Sequence, residues 1–134
     1  DHVYPGLADT GAHIGQICDA DATTHYLQYW YRTRGVVTLP QAIRKLTKMP
    51  AEVLGLKKRG TLEVGHFADI NVFDPQTVAS GQPTYVNDFP DQTGRLFIKS
   101  RGYAATIVNG AIVTEQGTHT GARPGRVIRE FARA

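Results

Sequence analysis

Leu7-Ala8-Asp9-Thr10-Gly11-Ala12-His13 places one carboxylate and one imidazole on either side of a small-residue turn. An apolar lead into an acid and then a glycine reads as the C-terminal end of a buried parallel strand, where side chains project into a cleft. Gly11 supplies the backbone freedom that such a turn needs. A carboxylate at that point, Asp9, can hold a metal-bound water and move its proton, the general-base part of metal-assisted hydrolysis. The same Asp-x-Gly is also ordinary turn chemistry, with the side chain bonding the backbone two residues on.

The remaining side chains able to ligate a metal are dispersed. His2 falls in a loop, His25 in a helix, His66 in a strand and His119 in a tail, and no two have ligand spacing. Cys18 is the one cysteine. It excludes an intramolecular disulfide framework and suits a reducing compartment, so the expected location is cytoplasmic. Lys and Arg outnumber Asp and Glu by 15 to 12. That excess is mild and spread along the chain, without the interleaved aromatics or reading motif of a nucleic-acid surface, so no nucleic-acid partner is expected. No apolar run approaches the ~18 to 20 residues of a membrane span, and no membrane partner is expected. The chain opens Asp1-His2-Val3-Tyr4-Pro5, without an initiator Met or a basic region followed by an apolar one, which reads as an excised piece.

The elements that must position Asp9 follow from local pattern. Residues 3–8 form the candidate strand, with Pro5 and Gly6 at its entry or edge. A polar loop carrying Gly15, Asp19 and Asp21 comes next. The spacing of Tyr26, Leu27, Trp30 and Tyr31 predicts a helix near 24–34 with one aromatic face, closed by Gly35. Thr38-Leu39-Pro40-Gln41 has the capping-box pattern and starts a helix over 39–48, with Leu39, Ala42, Ile43 and Leu46 inward and Arg44, Lys45 and Lys48 in solvent. Met49-Pro50 interrupts it, because the residue before a proline avoids the α region, and a short helix runs from Pro50 to Leu54.

After Gly60 the period becomes strand-like over 64–73, ending at Asp74-Pro75. Residues 76–94 read as an irregular connection. Asn109-Gly110 between two apolar runs, 103–108 and 111–114, is a hairpin signal, since both turn residues must take positive φ. The chain then turns basic through Arg123, Arg126, Arg129 and Arg133, either as a solvated tail or as a strip that docks an anion or partner.

The order of these features resembles a family. The Asp-x-Gly-Ala-His turn is followed by Leu39-Pro40-Gln41-Ala42-Ile43-Arg44-Lys45-Leu46-Thr47, Pro50-Ala51, Leu54-Gly55-Leu56 and Arg59-Gly60. Then come Gly65-x-x-Ala68-Asp69-Ile70-x-Val72-Phe73-Asp74-Pro75, Val108-Asn109-Gly110 and the closing Thr120-Gly121-Ala122-Arg123-Pro124-Gly125-Arg126. This resembles the C-terminal quarter of a metal-dependent amidohydrolase of the N-acyl-D-amino-acid deacylase (D-aminoacylase) branch.

The resemblance implies an α+β fragment: the last strand and helices of an (α/β)₈ TIM-like barrel over 1–60, followed over 61–134 by strands of a flanking β-sandwich and the tail. It implies that Asp9 is the catalytic aspartate and the one metal-facing group in this chain, that the cofactor is zinc, and that Thr10, Gly11 and His13 line the substrate pocket. The substrate would be an N-acyl-D-amino acid. The family's other zinc ligands lie upstream of the catalytic aspartate and are not in this chain; Cys18 follows Asp9 and is not the zinc cysteine. One carboxylate and one histidine cannot close a zinc site, so the chain by itself is expected to be inactive. Apolar faces around Tyr26, Trp30, Ile43 and Leu46 are expected to seek a partner, as in a homo-oligomer. The alternative reading is a non-catalytic β-rich binding or assembly module.

Overall fold

A computed structural model describes residues 3, 5–6, 8, 11, 13–16, 19–129 and 131. Asp9, Thr10, His2, Cys18 and Arg133 lie outside them. Of the strand expected over 3–8, the described residues 3, 5, 6 and 8 belong to no strand. A parallel strand needs neighbours to bond to, and the described strands pair antiparallel among themselves.

Three helical segments come first: α1 (Ala22–His25), which runs straight into a π-helical stretch (Tyr26–Thr33), α2 (Leu39–Leu46) and α3 (Lys48–Val53). The wider turn is seen in the bond from Arg34 N–H to the Tyr29 carbonyl at 2.8 Å, five residues back. It corrects the aromatic stripe, because residues three and four apart no longer stack in one line. Thr24, Leu27, Gln28, Tyr31 and Arg32 turn inward, while Trp30 is 42% exposed and meets Tyr29 edge-on at 5.0 Å. Tyr26, Ile43 and Leu46 pack within the chain, so of the four residues expected to face a partner only Trp30 is open.

Helix α2 starts as its sequence demands. Gln41 N–H donates to Thr38 Oγ1 at 3.4 Å and Thr38 N–H to Gln41 Oε1 at 2.8 Å, closing the capping box. The break before α3 falls at Thr47 (φ −128°, ψ −78°) and not at Met49-Pro50. Breaking there puts Pro50 in the first turn of α3, where a missing N–H costs nothing. Lys45 is half-buried, its ammonium bonded to the Val3 carbonyl, and not in open solvent as expected.

Six strands follow: β1 (Ile70–Phe73), β2 (Thr84–Val86), β3 (Arg95–Phe97), β4 (Tyr103–Val108), β5 (Ala111–Glu115) and β6 (Thr118–His119). Four make one antiparallel sheet in the order β1-β4-β5-β6, and β2 pairs with β3 as a separate ribbon. The hairpin turns at Asn109 (φ 47°) and Gly110 (φ 84°), the positive pair that a two-residue loop requires. Two expectations are corrected. The strand over 64–73 shrinks to its last four residues, because 63–69 are folded on themselves by turn bonds such as His66 N–H to Glu63 O at 3.0 Å. The connection over 76–94 is not wholly irregular, since it contains β2.

The core is a cluster of Leu27, Ala42 and Val78, overlaid by Tyr26, Tyr31, Val37, Leu39, Phe73 and Tyr103 among others. Polar bonds tie the first helical segment to the loop before β2 and to the sheet. Arg32 donates to the carbonyls of Pro75 (3.2 Å) and Val78 (2.5 Å), and Ser80 N–H donates to Gln28 Oε1 (2.9 Å). The Thr24 and Tyr103 hydroxyls bond at 2.9 Å. Gly102 (φ 85°) lies so close under the loop that a β-carbon there would stand 2.5 Å from Val78 Cα. Ala79 and Arg101 bond reciprocally, N–H to O at 3.1 and 2.9 Å, closing the base of the excursion that carries the ribbon.

Candidate functional site

The site expected from sequence is the turn after the first strand. Asp9 and Thr10 fall outside the described residues. Gly11 (φ 103°) and His13 (φ 44°) both take the left-handed region. The His13 carbonyl accepts the Gln16 N–H at 2.7 Å, and both Gly11 and His13 are exposed. The turn is fastened to the β2–β3 ribbon, where Leu96 N–H donates to the Ile14 carbonyl at 2.8 Å.

That ribbon is what sequence reasoning missed beside the site. Tyr85 stands opposite Leu96 in register, and its ring covers Gly94, where a β-carbon would lie 2.1 Å from Cε1. Arg95 Nε and Nη2 each donate at 2.7 Å to the carboxylate of Asp88, and the guanidinium lies 5.1 Å from the Phe97 ring and 5.7 Å from that of Phe89. The hydrogen bonds from Arg95 hold the Asp88 carboxyl below its ordinary range. The signal that could have found the ribbon is the pair of short apolar runs Tyr85-Val86 and Leu96-Phe97, each bounded by turn residues.

Other ionisable groups are occupied locally. His25 stacks on Tyr29 at 5.4 Å, His66 Nδ1 bonds the Thr61 hydroxyl at 2.8 Å, and His119 Nδ1 accepts the Gly121 N–H at 2.9 Å. Asp74 accepts the Gln76 N–H (2.8 Å) and the Thr77 hydroxyl (2.9 Å), which keep its carboxyl ionised below the usual pH. Among the described residues no three His, Cys, Asp or Glu side chains gather to hold a metal ion.

The motifs at 59, 69, 109 and 124 meet at one node. The Arg59 guanidinium pairs with Asp69 Oδ2, donates to Asn109 Oδ1 at 3.0 Å and lies 4.1 Å from the Phe67 ring centre. Asn109 N–H donates to Asp69 Oδ1 at 2.9 Å, and its side-chain amide donates to the Pro124 carbonyl at 2.8 Å. Beside the node, Arg126, Val127, Ile128 and Arg129 face Leu56, Lys57 and Phe67 across an open groove of about 360 Å³. The basic strip is therefore laid against the body of the chain at these residues.

A model of the amidohydrolase family matches residues 2–114. Among curated proteins, the D-aminoacylase of Alcaligenes xylosoxydans xylosoxydans is 36% identical over 106 residues, covering 79% of this chain and 20% of its own length. The N-acyl-D-glutamate deacylase of the same organism is 38% identical over 109 residues, 81% of this chain and 20% of its own. Among solved structures, a D-aminoacylase variant in complex with copper chloride superposes with a TM-score of 0.64 at 35% identity, covering 81% of this chain and 21% of its own. The N-acyl-D-glutamate deacylase from Bordetella bronchiseptica, complexed with zinc and a phosphonate that mimics the tetrahedral intermediate, gives 0.61 at 37% identity over 80% of this chain and 20% of its own. The chain spans about one fifth of the length of these relatives.

Proposed function

The chain belongs to the amidohydrolase family, and on that premise we propose that it is part of a zinc-dependent amidohydrolase that cleaves the amide bond of N-acyl-D-amino acids. The observation that carries this reading is the 37% identity, across 80% of the chain, to the deacylase complexed with zinc and a phosphonate mimic of the tetrahedral intermediate. A tetrahedral mimic of that kind belongs to a reaction in which water adds to an acyl carbon.

In this reading Asp9 is the general base. It takes a proton from the attacking water as the new C–O bond forms and returns it to the amide nitrogen as the C–N bond breaks, releasing a carboxylic acid and a D-amino acid. Thr10, Gly11 and His13 flank the substrate. Zinc, when bound, lowers the pKa of water so that this exchange runs near neutrality. In this reading the zinc ligands other than Asp9 belong to the rest of the parent protein, and the chain alone is inactive.

The test is amine release from the N-acetyl-D and N-acetyl-L forms of one amino acid, offered to the zinc-loaded parent enzyme. Preference for the D form supports the assignment. Equal rates, or hydrolysis of neither, overturn the substrate class, and turnover by this chain alone overturns the division of the site.

A further inference from the structure

We propose that the β2–β3 ribbon positions the turn that follows Asp9, with the Leu96 amide as the positioning group. The proposal rests on the reading of Asp9 as general base, but its structural half stands on the geometry alone.

In an antiparallel pair every second amide of a strand points away from its partner. Leu96, opposite Tyr85, turns its N–H to the Ile14 carbonyl at 2.8 Å, so Ile14 occupies an edge that would otherwise be unpaired. On the facing strand Tyr85 lies across Gly94, and the bidentate Arg95–Asp88 pair braces β3 against the loop that leaves β2. The ribbon thus meets the turn at Ile14, a few positions downstream of Asp9 in the sequence. Misplacement of a catalytic group by about 1 Å costs up to ~10²-fold in rate.

The first measurement is amide hydrogen exchange on this chain. The Leu96 amide is expected to exchange at least tenfold more slowly than a free amide; unprotected exchange overturns the contact and the proposal with it. The second uses Leu96→Pro in the zinc-loaded parent. Proline removes the N–H that the Ile14 carbonyl accepts, and an edge position facing away from its ribbon partner tolerates it. Turnover number should fall about tenfold, with KM and zinc content nearly unchanged. Leu96→Ala, which keeps the N–H, should keep kcat within about twofold of wild type. Wild-type kcat in Leu96→Pro, or an equal loss of kcat in Leu96→Ala, overturns positioning by the amide. Failure of the Asp9 reading would look different: Leu96 stays protected in this chain while Asp9→Asn retains turnover in the parent. Should Leu96→Pro not fold, the exchange rate of the wild-type amide still decides the matter.

Discussion

Asp69 and Asn109, 40 residues apart, are joined twice: directly, by the Asn109 N–H on Asp69 Oδ1 at 2.9 Å, and through Arg59, which bonds Asp69 Oδ2 and Asn109 Oδ1 together. Each carboxylate oxygen thus has its own partner. Four residues from the segments that carried the family resemblance, Arg59, Asp69, Asn109 and Pro124, meet in this joint, which sets the entry to β1 against the β4–β5 turn.

Asp69→Ala should therefore destabilise the chain without any effect routed through the reaction. It leaves a guanidinium whose side chain is 16% exposed without its carboxylate, and hydrogen bonds to charged groups are worth about 1.5–3 kcal/mol. A lower urea midpoint with an unchanged slope is expected, with Asp69→Asn losing less because one oxygen acceptor remains. A midpoint within error of wild type would show the node to be ornamental.

Asp9→Asn in the parent keeps size and polarity and removes proton acceptance. Turnover should fall ~10² to 10⁴, with folding and zinc content retained. His13→Ala should lose much less, because the His13 side chain is exposed in a turn held by its backbone. Steady-state hydrolysis of an N-acetyl-D-amino acid decides both, and a tenth or more of wild-type turnover in Asp9→Asn removes Asp9 from the mechanism.

Gly102→Ala and Gly121→Ala make a matched pair. Both glycines have φ near 85–90°, but a β-carbon at Gly102 meets Val78 backbone at 2.5 Å while nothing lies within 4 Å of one at Gly121. Gly121→Ala should cost about 1–2 kcal/mol, the strain of the left-handed region alone. Gly102→Ala should cost visibly more, since it also forces the 74–80 loop off the sheet. Thermal melts that place the two equal would count against the close approach.

Asp74, like Asp88, carries acid sensitivity that can be assigned to its hydrogen bonds. Its carboxyl is held below its ordinary value of 3.8, first by the Gln76 N–H and then by the Thr77 hydroxyl. A depressed folded-state value contributes stability at pH above the unfolded value, and that contribution fades as pH falls from about 4 through the folded value. Asp74→Asn should flatten the stability profile in that acid window and leave the difference constant above it, as followed by denaturant titrations from pH 2 to pH 7.

Local chemistry was the legible part of this fold. Thr38 and Gln41 close their box within four residues, and Asn109-Gly110 needs only its own two dihedrals, so both stand where the pattern puts them. Strand β2 was not legible because its partner sits nine residues beyond its end, across a 3₁₀ turn at Pro90–Gln92, and nothing in Thr84-Tyr85-Val86 alone announces a pairing. The strand pattern at 64–69 misled because Asp69, which reads as an alternating polar position, is committed to Arg59 and Asn109. Trp30 misled because the helix around it widens. For the site, spacing drew attention to the turn at 11–13 but carried no information on the ribbon that holds it.

The reciprocal Ala79–Arg101 bond has a bearing on how such a chain can diverge. Residues 80–100 leave the body and return to it at the Ala79–Arg101 bond, with Val78 and Gly102 locked on the inner side and Ser80 and Ser100 tied to Gln28 and Thr24 just outside it. Whatever lies beyond those ties can lengthen, shorten or be exchanged for a relative's version while Leu27, Ala42 and Val78 keep their neighbours. The ribbon is a cassette: grafting it between relatives at 79 and 101 is the cut that changes what stands beside the turn at 11–16 and leaves the core intact.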